Sequence, residues 1–164
     1  MTTKILCGID GRGRSARVVG VAAELAKKLG AQLTLYIVNP TLPGRGARLP
    51  LWADEYLRWT LQEMKRRALW LGAPDVRCES RTANDVADAI VAYADRHEVD
   101  YIIVGASGRP GILTLLRGAV SRQVVARANC PVLVVTGTRT WSGRDPHRGI
   151  PEPVVYRGAV PGVA

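Results

Sequence analysis

The sequence predicts an α/β fold, a doubly wound parallel sheet of five strands with helices on both faces. Three observations predict it. Short, nearly continuous apolar runs of strand length recur along the chain, and each ends in glycine or polar residues. Segments with apolar residues at helical spacing separate these runs. Strands without polar alternation are buried on both faces, which is the condition of a parallel sheet covered by helices. Right-handed crossovers then reduce the topologies to a few.

The elements follow in order. Lys4 to Asp10 is the first strand, short, apolar and closed by Asp10-Gly11. Ser15 is placed to cap a helix running through Leu29, with Val18, Val21, Ala22, Leu25, Ala26 and Leu29 at helical spacing and Gly30 as its stop. Gln32 to Asn39 is the second strand, and a Pro/Gly/Arg loop from Pro40 to Pro50 leads into a long helix ending at Leu71. Asp75 to Arg81 is the third strand, and Asn84 is the expected cap of a helix to about Glu98, with Val86, Ile90, Val91 and Ala94 on its apolar side. Asp100 to Gly105 is the fourth strand, Gly118 to Asn129 a further helix and Pro131 to Thr136 the fifth strand. The domain therefore spans residues 1–136. Residues 137–164 are rich in Gly, Pro and Arg with little periodicity, apart from Pro153-Val-Val-Tyr156, and read as a flexible tail.

Composition excludes several classes of function. No stretch approaches the roughly 20 apolar residues of a membrane span, and the opening residues do not form a secretory signal. Cys7, Cys78 and Cys130 stand at wide, unrelated spacings that match neither a disulfide framework nor a zinc site, so reduced thiols and a cytoplasmic setting are expected. The net charge of +9 suggests nucleic acid. The basic residues are scattered, however, over Arg12 and Arg14, Lys27 and Lys28, Lys65 to Arg67 and the tail, with no recognition helix or RNA-binding aromatic signature. Dedicated nucleic-acid binding is not expected; attraction for anionic small molecules is.

The chemistry concentrates after the fourth strand. Gly105-Ala-Ser-Gly108-Arg109-Pro110-Gly111 leaves the apolar run ending at Val104, and Gly118-Ala119-Val120-Ser121 opens the next helix. Glycines let backbone amides approach a ligand, successive amides form an anion cradle, and a helix N-terminus attracts phosphate. The segment lacks the Lys-Ser/Thr of a P-loop, and the glycines are spaced wrongly for a dinucleotide fingerprint. Arg109 is either a phosphate partner or a solvated loop residue. His97 sits near a helix end and His147 in the tail, and no nucleophile-base or paired-carboxylate constellation is visible. No catalytic or metal-ligating residue is assigned.

With Gly105, Gly108 and Gly118 spaced as Gly, two residues, Gly, nine residues, Gly, the chain resembles the nucleotide-binding branch of the universal stress protein family. The opening Ile5-Leu-Cys-Gly-Ile-Asp10-Gly11 and the ending Asn129-Cys-Pro131-Val-Leu-Val-Val135 are similar too. The resemblance implies the strand order 3-2-1-4-5, and ATP or a related ADP or AMP in the crevice, with a divalent cation carried on the phosphates. Asp10 matches the aspartate beside the adenosine and Val38 the residue lining the adenine. Gly105, preceded by Val104, would lie against the ribose. Gly108 would meet the phosphates, with Arg109 nearby, as would Gly118, Ala119, Val120 and Ser121. The departure is Ala119, where the family carries Ser or Thr; the amide stays but a hydroxyl contact of about 1 kcal/mol is lost, which Ser121 offsets in part. Arg12 replaces a small polar residue and adds a cation.

Two surfaces remain. On the long helix Leu57, Leu61, Met64, Ala68 and Leu71 fall on one face, while Trp52, Tyr56, Trp59 and Trp70 gather opposite with Glu63 and Arg66. The rings are either a partner surface or groove for the tail, or part of a core whose helix is rotated from this reading. The strand from 131 to 136 lies at the sheet edge in the implied topology, and the resemblance implies a homodimer through it. The functions left open are an ATP-binding regulator of the stress response, the same fold as a nucleotide-free dimeric chaperone-like module, and a slow ATPase or phosphotransferase.

Overall fold

A computed structural model of the chain describes residues 1–11, 15–43, 46–106, 119–136 and 155–157. Among these residues eleven elements follow one another as β1 (Lys4–Ile9), α1 (Ala16–Leu29), β2 (Gln32–Pro43), β3 (Arg48–Pro50), α2 (Asp54–Trp70), β4 (Asp75–Ala83), α3 (Val86–His97), β5 (Tyr101–Gly105), α4 (Ala119–Arg127), β6 (Val132–Thr136) and β7 (Val155–Arg157). Five strands pair in parallel in the order β4-β2-β1-β5-β6. In chain order of the five parallel strands this is 3-2-1-4-5. β3 and β7 add short antiparallel pairings, to the far end of β2 and to β6.

Two apolar layers sandwich the sheet. Ile5, Cys7, Ile9, Leu33, Leu35, Ile37 and Ile103 pack against α1 and α2, where Val19, Ala22, Ala23, Ala26, Leu57, Leu61 and Ala68 are buried. Leu6, Tyr36, Val38, Ile102, Val104, Val132 and Val134 face α3 and α4 through Ala87, Ile90, Val91, Ala94 and Val124. Odd and even strand residues thus serve opposite faces, as the two-residue strand period demands. Gly30, in the left-handed region at φ 60°, ends α1 as the sequence predicts, and Lys27 and Lys28 occupy the last turn where the helix dipole favours cations.

Four local expectations change. Ser15 stands at the N-cap of α1 but makes no capping bond, because its hydroxyl turns back to Asp10 instead. α3 is capped by Asp85, whose carboxylate accepts from the Asp88 N–H at 2.9 Å, while Asn84 pairs with Thr41. The expected loop from Pro40 to Pro50 begins and ends as a β-ladder, with Thr41, Leu42 and Pro43 opposite Pro50, Leu49 and Arg48. Within the segment expected to be a flexible tail, Val155–Arg157 are a strand: Val155, Tyr156 and Arg157 pair with Thr136, Val135 and Val134. The edge of β6 offered to a second copy is therefore covered by the chain itself. The patterned stretch beginning at Pro153 was the one signal of it.

The long helix has the predicted core face, with Leu57, Leu61 and Ala68 buried and Met64 and Leu71 packed at its margin. Of the four rings placed opposite, Trp59 is 63% exposed and Trp70 49%, and Tyr56 is also exposed. Trp52 departs from the group. It precedes α2 and packs against the core under α1 and α2.

Candidate functional site

The register of three strands assembles one end of the sheet. Gly8 is opposite Val104 and Ile9 opposite Ile37, so Asp10, Val38 and Gly105 are carried to the same carboxyl end. Open parallel sheets bind ligands outside this end, where strand order reverses; here the reversal lies between β1 and β5. Val38 and Val104 are buried in the α3 layer. Asp10 is exposed at the same end of the sheet. Gly105 is opposite Val135, and the Ala106 N–H donates to the Val135 carbonyl at 2.9 Å, which holds the exit of β5 against β6.

Gly105 faces the other layer. A Cβ there would stand 2.8 Å from Cγ2 of Val18 on α1. The Val18 methyl group thus occupies the space a Cβ at position 105 would need.

The turn after β1 is fastened on several sides. The Asp10 N–H donates to Ser15 Oγ at 2.9 Å, and the Ser15 hydroxyl proton has the Asp10 carbonyl at 3.0 Å and Oδ1 at 3.2 Å within reach. The Tyr56 hydroxyl donates to the Gly11 carbonyl at 2.5 Å. The Trp52 indole lies so close to Gly11 that a Cβ would meet its ring atoms at 2.9 Å. Trp52 is itself held by fully buried Asn39, whose Nδ2 donates to the Trp52 carbonyl at 2.8 Å and whose Oδ1 accepts the Trp52 N–H at 3.1 Å. None of these three residues is assigned to this end of the sheet by sequence. Asn39 carried a signal, an amide closing an apolar strand. Trp52 and Tyr56 carried none that specifies Gly11.

α4 is described from Ala119, with Val120 exposed and Ser121 buried at 2% exposure. Gly108, Arg109 and Gly118 lie outside the described residues, as does Arg12. Asp85 on α3 joins Arg127 on α4 at 2.9 Å. The Asp88 N–H and then the Arg127 guanidinium hold the Asp85 carboxyl below the usual carboxylate range.

The thiols behave as structural residues. Cys7 is buried, and burial pushes its pKa well above that of a free thiol; burial also raises those of Cys78 and Cys130. Among the described residues no three His, Cys, Asp or Glu side chains gather as a metal-ligand set, and no helix is long and apolar enough to cross a membrane.

A model of the universal stress protein family matches residues 1–136. The chain belongs to that family. Universal stress protein Rv1636 of Mycobacterium tuberculosis is 32% identical over 144 residues, covering 82% of this chain and 96% of its own length. A universal stress protein solved in complex with cAMP superimposes with a TM-score of 0.66 at 26% identity, over 84% of this chain and 98% of that one. A universal stress protein from Archaeoglobus fulgidus gives a TM-score of 0.67 at 26% identity, over 83% of this chain and the whole of that one. In the universal stress protein frame, the five parallel strands are the shared sheet and β7 lies beyond the matched residues.

Proposed function

We propose that the chain binds an adenine nucleotide, ATP or its di- or monophosphate, at the carboxyl end of the sheet, and that it acts in the cytoplasm as a regulator of the stress response. Nucleotide state would change its shape or its partners. The observation that carries the reading is the register that brings Asp10, just past the end of β1, and Gly105, at the end of the adjacent β5, to one end of the sheet with Val38 and Val104. That arrangement suits a base against the valines and a ribose at the carboxylate. The similar protein solved with cAMP supports the same ligand class. The phosphates are assigned to Gly108, Arg109, Gly118, Ala119, Val120 and Ser121, with a divalent cation carried on them. Ala119 supplies an amide and no hydroxyl, which weakens the grip without changing the class of ligand.

Ala119 also favours the second reading, a nucleotide-free dimeric interaction module. In either reading two copies joining through β6 must first displace β7. Trp59 and Trp70, with Tyr56, are the surface proposed for a protein partner, and Trp52 is removed from it.

Thermal unfolding and calorimetry with ATP, ADP, AMP and cyclic AMP test the reading. At 100 times Kd a bound nucleotide stabilises the fold by about 2.7 kcal/mol, or roughly 5–10 °C for a chain of this size. No stabilisation by any of the four removes the proposal. A Gly118→Asp variant stabilised as much as the parent removes the phosphate cradle alone.

A further inference from the structure

We propose that Trp52 and Tyr56 are positioning residues that clamp the Asp10–Gly11 turn and thereby set nucleotide affinity; this rests on the nucleotide reading above. Neither side chain is on the strand or the loop it serves. Tyr56 reaches from the first turn of α2 to a carbonyl 45 residues earlier in the chain. Trp52 covers the same residue from the approach to α2, and glycine is what allows the contact, since a Cβ at position 11 would stand 2.9 Å from the indole.

The clamp is anchored rather than loose. Asn39, on β2 beside Val38, spends both its amide donor and its amide acceptor on the Trp52 backbone. A buried amide satisfied in this way fixes the Trp52 backbone that carries the indole, because any shift of that backbone leaves polar groups unpaired. Ser15 ties Asp10 from α1. The turn that presents the Asp10 carboxylate is therefore held from β2, α1 and α2 together. A binding loop already in its bound shape loses less conformational freedom on capture, and affinity rises accordingly. Tyr56 also stacks with exposed Trp59 at a centroid distance of 6.3 Å.

The test uses the full chain and two variants, Tyr56→Phe, which keeps the ring and removes the donor, and Trp52→Leu. Amide hydrogen exchange of the turn and calorimetric Kd for ATP and AMP are measured on each. Tyr56→Phe is expected to unfold only a few degrees below wild type, the worth of one hydrogen bond, to speed exchange at Gly11 and its neighbours several-fold, and to raise Kd by up to about five- to ten-fold, the ceiling that one lost hydrogen bond sets. A filler of the hydrophobic core would lower stability and leave both readouts unchanged. Should Trp52→Leu fail to fold, Tyr56→Phe decides alone. Wild-type binding with an equal Kd for Tyr56→Phe overturns the clamp and leaves the function standing. Absence of binding by the wild type overturns both. Unchanged exchange at the turn overturns the clamp whatever the ligand does.

Discussion

Replacing Gly105 by alanine isolates the reason for a glycine that also belongs to the Gly105, Gly108 and Gly118 series. The new Cβ would lie 2.8 Å from Val18 Cγ2, against about 3.5–4.0 Å for relaxed carbon contacts. Roughly 1 Å must be recovered. Backbone conformation is not the obstacle, because φ at Gly105 is outside the left-handed region. The adjustment falls on Val18, which is buried and, as a β-branched residue in a helix, confined to one rotamer. Overpacking of this kind costs about 1–3 kcal/mol. Val18→Ala alone removes two buried methyl groups and costs about 2 kcal/mol.

If the two residues collide as described, the double variant places the new methyl group at position 105 in the space Val18 has vacated. Its loss should fall short of the sum of the single losses by about 1 kcal/mol or more. Equilibrium urea unfolding of the four proteins measures the cycle. Additivity within about 0.5 kcal/mol refutes the close approach. The double variant also separates two roles: stability restored with nucleotide affinity restored assigns Gly105 to the helix contact, whereas stability restored with weak binding assigns it to the ligand as well.

Two further outcomes are expected. Asp85 has a lowered pKa in the folded state, so its contribution is complete above the unfolded value of about 3.9 and is lost as pH falls through the folded one. Urea midpoints of wild type and Asp85→Asn should therefore differ near pH 6 and converge near pH 2, and a constant difference across that range contradicts the assignment. Tyr156→Pro removes an N–H and interrupts the pairing of β7 with Val135. It should uncover the edge of β6 and raise the dimer fraction in sedimentation, and an unchanged distribution means that β7 does not govern association.

The strands and helices were legible because their signals are local. Apolar runs at Ile5–Ile9 and Tyr101–Val104 and the helical spacing from Val18 to Leu29 need no knowledge of distant residues. The same holds for Gly30, which stops α1 by its own conformation. Parallel pairing of β1 with β5 brought Asp10 and Gly105 to one end of the sheet, as the strand order implied by the resemblance requires. The misreadings arose where two local options compete. Ser15 and Asn84 both resemble caps, and each hydrogen-bonds a residue brought near by the fold, Asp10 in one case and Thr41 in the other.

By itself, then, the sequence determined the layered fold and the order in which its elements follow along the chain. Tertiary structure alone decided why Gly105 must lack a side chain, that Trp52 turns inward while Trp59 and Trp70 stay outside, and that β7 covers the edge of β6. Periodicity is a property of neighbours in the chain. The contacts of Tyr56 with Gly11, of Asn39 with Trp52 and of Val18 with Gly105 join residues far apart in it, and they exist only once the sheet has set which surfaces meet.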